Sequence, residues 1–302
     1  MQIHVMGSGA GGGFPQWNCN CTNCRGYRQQ TLQTPARTQS SIAISDNGVD
    51  WVLINASPDI RQQLASFPAM QPARQLRDTA IKSIVLVDAQ LDHTTGLLLL
   101  REGEKLNVYC TVAVQEDLTN GFPVLPLLQH YCGVNIQTIS PQNVFSVSGA
   151  ENLQFEAIAL SGKAPPYSPH RQQPQLGDNI ALMITDLRNQ KSLFYAPGIA
   201  TITPEVKVYL SRADCILIDG TFWTENEMSE AGVGHKAAKE MGHLPQSGEE
   251  GMLVKLKEFD QARRILIHIN NTNPILDSNS DAYETLTQNG IEVAFDGMEI
   301  TL

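Results

Sequence analysis

No long run of lysine and arginine occurs anywhere in this chain. Acidic residues outnumber basic ones by 31 to 21, and the formal net charge is −10. Without clustered cations a chain cannot make the phosphate contacts of a nucleic-acid binder, so that class is excluded. Charged residues of both signs together make up only 17%. Long apolar runs are also missing, and none approaches the ~20 residues needed to cross a bilayer. The N-terminus, Met1-Gln-Ile-His-Val-Met-Gly7, lacks the basic start and apolar stretch of a signal peptide and reads as a first strand. These absences imply a soluble cytoplasmic protein with no membrane span. Cysteine is too sparse for a disulfide scaffold, with six in 302 residues. Three of the six nevertheless crowd together.

The crowded three are Cys19, Cys21 and Cys24, in Cys19-Asn-Cys-Thr-Asn-Cys24. Thiolates so spaced in a loop can converge on one tetrahedral ion, and zinc is the usual occupant of a thiolate-rich site. The expectation is a structural zinc whose fourth ligand comes from elsewhere, either His268 or Asn271.

Hydrophobic residues make up 42%, enough for a sizeable core. Apolar runs at Ile81–Val87, Ser192–Ala196, Cys215–Asp219 and Arg264–Ile269 read as strands covered on both faces. Helical patterns lie between and around them, at Ile60–Ser66, Asp92–Arg101, Pro204–Arg212, Gln246–Phe259 and Ala282–Asn289. No linker divides the chain. The pattern predicts an α/β fold: one domain over residues 1–302, with two packed sheets and helices outside. Gly7–Gly13 follows the first strand, but no helix follows it, which argues against a dinucleotide loop. It reads as backbone passing close to something. Lys163–Asp178 is rich in Pro and Gln and reads as a lid, with His170 available to a substrate or a metal.

Ionisable groups gather at strand ends. Asp88, Asp92 and His93 follow the strand ending at Val87, Asp219 ends another, and His268 lies at the end of a third. Ligands of α/β sheets bind at such carboxyl ends. A buried unpaired carboxylate costs several kcal/mol, so a shared cation is the economical reading. His243 follows Gly242 just ahead of a helix and joins the candidates. His4 and His130 read as structural, and His235 as a surface residue.

Five stretches carry a resemblance: Gly7 to Cys24, Arg37 to Ala43, Asn55 to Arg61, Asp92 to Leu98 and His268 to Pro274. With them the whole chain resembles the metallo-β-lactamase superfamily and, within it, the family of pyrroloquinoline quinone (PQQ) biosynthesis protein B. Asp88-Ala-Gln-Leu-Asp-His93 is similar to the superfamily's His-x-His-x-Asp-His motif, with Asp88 and Gln90 in place of its first two histidines. The resemblance implies a four-layer αβ/βα sandwich. It implies Asp92, His93 and His268 as ligands of an active-site metal, with Asp88 as a further candidate. It implies that Asp219 and His243 act as the catalytic acid–histidine pair of tRNase Z-like members. Asn271 stands where related phosphodiesterases carry a second histidine for the cysteine-bound zinc. The usual bridging aspartate falls at Pro197 or Gly198, so a two-metal hydroxide is not expected. Two histidines and a carboxylate are instead the ligand set of non-haem iron oxygenases. The resemblance thus implies PQQ biosynthesis by an Fe(II)-dependent oxygenase. Its substrate would be a small-molecule or short-peptide Glu–Tyr-derived precursor, hydroxylated on the tyrosine ring, with other PQQ biosynthesis proteins as partners. The alternative is a non-catalytic carrier that binds PQQ or its precursor and assists its transfer to the periplasm. A residual hydrolase is a weaker third reading.

Overall fold

Period-two alternation sorts the side chains of each strand between two faces. In Cys215–Asp219, Cys215 and Leu217 join one buried cluster, while Ile216 and Ile218 join another. In Trp51–Ile54, Val52 and Ile54 join the first of these clusters, and Trp51 and Leu53 a third. The shared cluster is the seam between two sheets. The other two clusters lie where helices cover the outer faces. The computed structural model, which describes residues 1–302, therefore has four layers, as the apolar runs predict.

The first half of the chain supplies β1 (Gln2–Gly7), β2 (Ser41–Ser45), β3 (Trp51–Ile54), β4 (Ile81–Val85), β5 (Leu106–Cys110) and β6 (Val134–Thr138). The second half supplies β7 (Val144–Phe145), β8 (Leu153–Ala159), β9 (Ile180–Asp186), β10 (Ser192–Ala196), β11 (Cys215–Asp219), β12 (Arg263–Ile267) and β13 (Ile291–Val293). The last strand, β14 (Glu299–Thr301), returns to the first sheet beside β1. The sheet orders are β14-β1-β2-β3-β4-β5-β6 and β13-β12-β11-β10-β9-β8-β7. Pairing is parallel from β3 to β6 and from β10 to β13, and antiparallel elsewhere. Parallel neighbours share one direction, so their carboxyl ends open together, and the segments after β4, β11 and β12 meet there.

Two helices are shorter than their patterns predict. After Asp88 the chain makes one α-turn, Leu91–Thr94, and then a 3-10 stretch, Thr95–Leu100. Gly96 explains this: a Cβ there would sit 2.2 Å from the Ser57 carbonyl, so the backbones pack too closely for a regular helix. Similarly, only Met252–Leu256 is α-helical within Gln246–Phe259, because Gly251 packs against the Ser247 and Gln246 carbonyls. No helix is long and apolar enough to cross a membrane.

Candidate metal centre

Three histidines from separate segments meet at the strand ends, each with one ring nitrogen held from behind. His93 is buried, and its Nδ1 donates to Asp88, 2.8 Å from Oδ1 and 3.0 Å from Oδ2. His243 Nδ1 lies 2.8 Å from Asp219 Oδ2. His268 Nδ1 lies 2.8 Å from Thr221 Oγ1. The remaining nitrogens are Nε2. That of His268 is 3.2 Å from Asp92 Oδ2, and that of His93 is 3.9 Å from the same oxygen and has no hydrogen-bond partner. One donor atom each from Asp92, His93 and His268 lies within 4.8 Å of the others, and so do donors from Asp219, His243 and His268. The His93 and His268 rings meet edge to face at 5.4 Å, and His243 stacks on His268 at 5.3 Å.

The backbone forces this convergence. β12 ends at Ile267, and His268 takes a left-handed conformation, φ +63°. Such a conformation is strained for a residue with a Cβ, and here it turns the imidazole out of the strand direction. The peptides on either side are tied down, with Gly220 N–H donating to Ile267 O and Ile269 N–H to Ser8 O. Thr221 is the hub. Its hydroxyl lies 2.6 Å from Asp219 Oδ1, 2.8 Å from the His268 carbonyl oxygen and 3.1 Å from His243 Nδ1. Asp219 also accepts the N–H groups of Ile199 and Thr221, so this fully buried carboxylate is saturated.

Charge follows geometry. Burial opposes the charged form of His93, but Asp88 and Asp92 outweigh it and push the imidazole up to about 9. Burial also opposes ionisation of Asp92, yet His93 and His268 hold its carboxyl well below the usual range. For Asp219, burial is overcome by His243, His268 and Thr221, and its carboxyl is lowered. His243 is raised against burial, chiefly by Asp219. Protons on His93 and His243 thus carry charge that a divalent cation could bring instead.

The cluster opens into a cavity of ≈ 530 Å³. Asp92, His93, His243 and His268 line it, as does the glycine-rich loop, where a Cβ on Gly11 would stand 3.3 Å from Asp92 Oδ2. That close approach is what the glycines serve. Gly198, next to His243, offers no carboxylate. Lys163, Arg171, Lys236 and Lys239 also line the cavity, a local excess of cations in an acidic protein.

Residues 50–269 match the model of the beta-lactamase superfamily domain. Coenzyme PQQ synthesis protein B of Acinetobacter baumannii (strain ACICU) is 56% identical over 303 residues, covering all of both chains. Its counterpart in Methylococcus capsulatus is 55% identical over 304 residues, again over both full lengths. The chain belongs to the coenzyme PQQ synthesis protein B family. The crystal structure of Zn(2+)-bound PqqB from Methylobacterium extorquens superimposes with a TM-score of 0.92 at 35% identity, over all of both chains. The metallo-β-lactamase fold expected from the motifs is therefore the fold observed.

In this member of the PQQ synthesis protein B family the cysteine cluster lies beside the imidazoles. Asn271 Nδ2 is 3.1 Å from Cys19 Sγ, 3.5 Å from Cys21 Sγ and 3.4 Å from Cys24 Sγ. Of the two candidates for the fourth position, Asn271 caps the sulfurs, while His268 is turned away, engaged with Asp92 and Thr221. Asp88, a candidate ligand by sequence, puts both oxygens on His93 Nδ1 and so stands behind the ring rather than among the converging donors. His170 lies in a separate cluster with Asp117 and Asp178. Thr221 was missed by sequence reasoning. Its signal was a hydroxyl two residues after a strand-end aspartate, which only the fold could connect to two histidines.

Proposed function

We propose that this protein is a metal-dependent oxygenase of PQQ biosynthesis that hydroxylates the tyrosine ring of the Glu–Tyr-derived precursor. One observation carries the reading: Asp92 and the Nε2 atoms of His93 and His268 converge on one side, beside an open cavity. The buried, unpartnered Nε2 of His93 fits a ligand atom awaiting a cation. Around the same cavity Gln90 and Gly198 supply neither imidazole nor carboxylate for a second metal, which disfavours hydrolysis by a bridged hydroxide. Fe(II) bound by Asp92, His93 and His268 would supply activation of dioxygen at this ligand set.

The protein's own residues do the rest. Asp88 orients His93 through Nδ1, the usual support for a ligating histidine. With Nδ1 held by Asp219, His243 keeps Nε2 free in the cavity to move the ring or phenol proton. Lys163, Arg171, Lys236 and Lys239 meet the carboxylates of the glutamate-derived half. The loop Lys163–Asp178 acts as a lid that limits water. Zinc bound by Cys19, Cys21 and Cys24 under Asn271 holds the turn that carries His268. One atom of dioxygen enters the ring and the other leaves as water, with two electrons from an external reductant.

The test is anaerobic loading with Fe(II), then dioxygen, ascorbate and a Glu–Tyr peptide. A product heavier by one oxygen atom, absent with His93→Ala, is expected. Tight binding of PQQ without turnover under any metal would sink the oxygenase and favour the carrier.

A further inference from the structure

The loop Lys163–Asp178 takes part in a second group of donors, apart from the site above. His170 is buried, and its Nε2 donates to Asp178 Oδ1 at 2.8 Å. Asp178 is itself fixed, because its Oδ2 accepts the Gln175 N–H at 2.8 Å. The other ring nitrogen, Nδ1, faces carboxylates from elsewhere in the chain, Asp117 Oδ1 at 3.6 Å and Glu116 Oε2 at 3.8 Å. Glu116 and Asp117 stand at the junction of helix Val112–Glu116 and the π-turn Asp117–Gly121. Such π-turns gather at functional sites.

The side chain of Asp117 is 1% exposed, yet neither of its oxygens has a hydrogen-bond partner, and nor does His170 Nδ1. Each unmet buried group costs on the order of 1–3 kcal/mol, and here three such atoms share one spot. Burial, reinforced by Asp178 and Glu116, also pushes the Asp117 carboxyl up, although the neighbouring Ser168 and His170 pull it the other way. A hydrogen-bonded pin would leave those atoms unanswered, whereas a cation among them satisfies all three.

We propose that Asp117, Glu116 and Nδ1 of His170 bind a divalent cation of the Zn²⁺ or Mn²⁺ class, with Asp178 supporting the imidazole from behind. An imidazole with carboxylate oxygens suits these ions, and a carboxylate on the far ring nitrogen is the common support for a ligating histidine. Glu116, partly exposed, provides the way in. The loop carries Lys163 and Arg171 to the cavity. Elsewhere it is fastened by Thr111 Oγ1 donating to Gly177 O and by Tyr167 OH donating to Ala89 O. A cation at His170 adds a link between loop and helix, and so sets how firmly the loop holds over the cavity. The site does not depend on which reaction the cavity hosts.

The test titrates metal-stripped full-length protein with Zn²⁺ or Mn²⁺ and counts bound equivalents. Asp117→Asn and His170→Gln should each bind one equivalent fewer than wild type, with the cysteine-bound zinc unchanged. Glu116→Gln, at a partly exposed position, should weaken that equivalent about tenfold or more. Mn²⁺ should slow tryptic cleavage at Lys163 and Arg171 in wild type and not in Asp117→Asn. Equal stoichiometry and affinity in wild type and all three variants would overturn the proposal and leave the cluster a proton-held pin.

Discussion

Two donor clusters flank the turn His268–Asn273, and they are built in opposite ways. The cysteine cluster comes from six consecutive residues and is capped by one amide, Asn271. None of its cysteines lines the cavity. The imidazole cluster is drawn from Asp92 and His93, Asp219 and Thr221, His243 and His268. Each ring is braced at Nδ1, and the group faces open space. A closed set of donors suits an ion that holds structure, and a braced set with an open side suits one that meets a substrate. One turn serves both: residue 268 reaches the imidazoles and residue 271 the sulfurs, so holding one cluster steadies the other.

Crossed variants give the largest expected effects. Cys21→Ser should lose the structural zinc and, because such binding is folding free energy, on the order of several kcal/mol of stability, read by thermal or denaturant melts. His93→Gln should remove ring hydroxylation below detection while the fall in melting temperature stays smaller. If His93→Gln melted as early as Cys21→Ser, or Cys21→Ser abolished active-site metal binding at temperatures where it remains folded, the division between holding and reacting would fail.

Asp88→Asn sharpens the comparison at the next scale. Asp88 reaches the cavity wall, but both of its oxygens are on Nδ1 of His93, and so it fixes that ring. Loss of such a partner costs about 10–100-fold in metal affinity. Competition titrations with a chelator should show that loss for the active-site metal and none for the cysteine-bound zinc. An unchanged affinity would mean that His93 is positioned by packing alone.

Legibility differed between the two regions for a physical reason. The cysteine cluster was plain in the sequence because its three thiols are neighbours along the chain. The strands were plain because both faces of each sheet are covered, so the Cys215–Ile218 part of β11 and the Ile265–Ile267 part of β12 read as apolar runs. The placement of Asp92, His93 and His268 at strand ends followed from that. The direction of a side chain was not legible. Asp88 read as a possible ligand, and its carboxylate faces Nδ1 of His93 instead of the converging donors, because a turn of the backbone decides which way it points. Gly96 shortened its helix through contact with the distant Ser57 carbonyl, and Gly251 through the nearby Gln246 and Ser247 carbonyls, which no periodicity reports. His170 was visible as a loop histidine, but Asp117 lies far back in the chain and only the fold brings it within reach.

The smallest expected effect concerns the shared turn itself. Glu227 is buried and accepts hydrogen bonds from Thr272 Oγ1 and from the Trp223 N–H, so it braces the turn between the two clusters. Burial is the largest influence on it and pushes its carboxyl from 4.5 up to about 7. Between those values the folded protein binds a proton that the unfolded chain has released. The stability this contributes is complete below about 4.5 and is lost as pH rises through about 7, on the order of 3 kcal/mol. Glu227→Gln keeps an acceptor for Thr272 and removes the titration. Melting curves from pH 5 to pH 8 should therefore decline less in Glu227→Gln than in wild type. Release of the cysteine-bound zinc to a chelator should speed up with pH in wild type more than in the variant. Parallel declines in both proteins would show that Glu227 does not hold the turn, and the two clusters would then be adjacent without being mechanically joined.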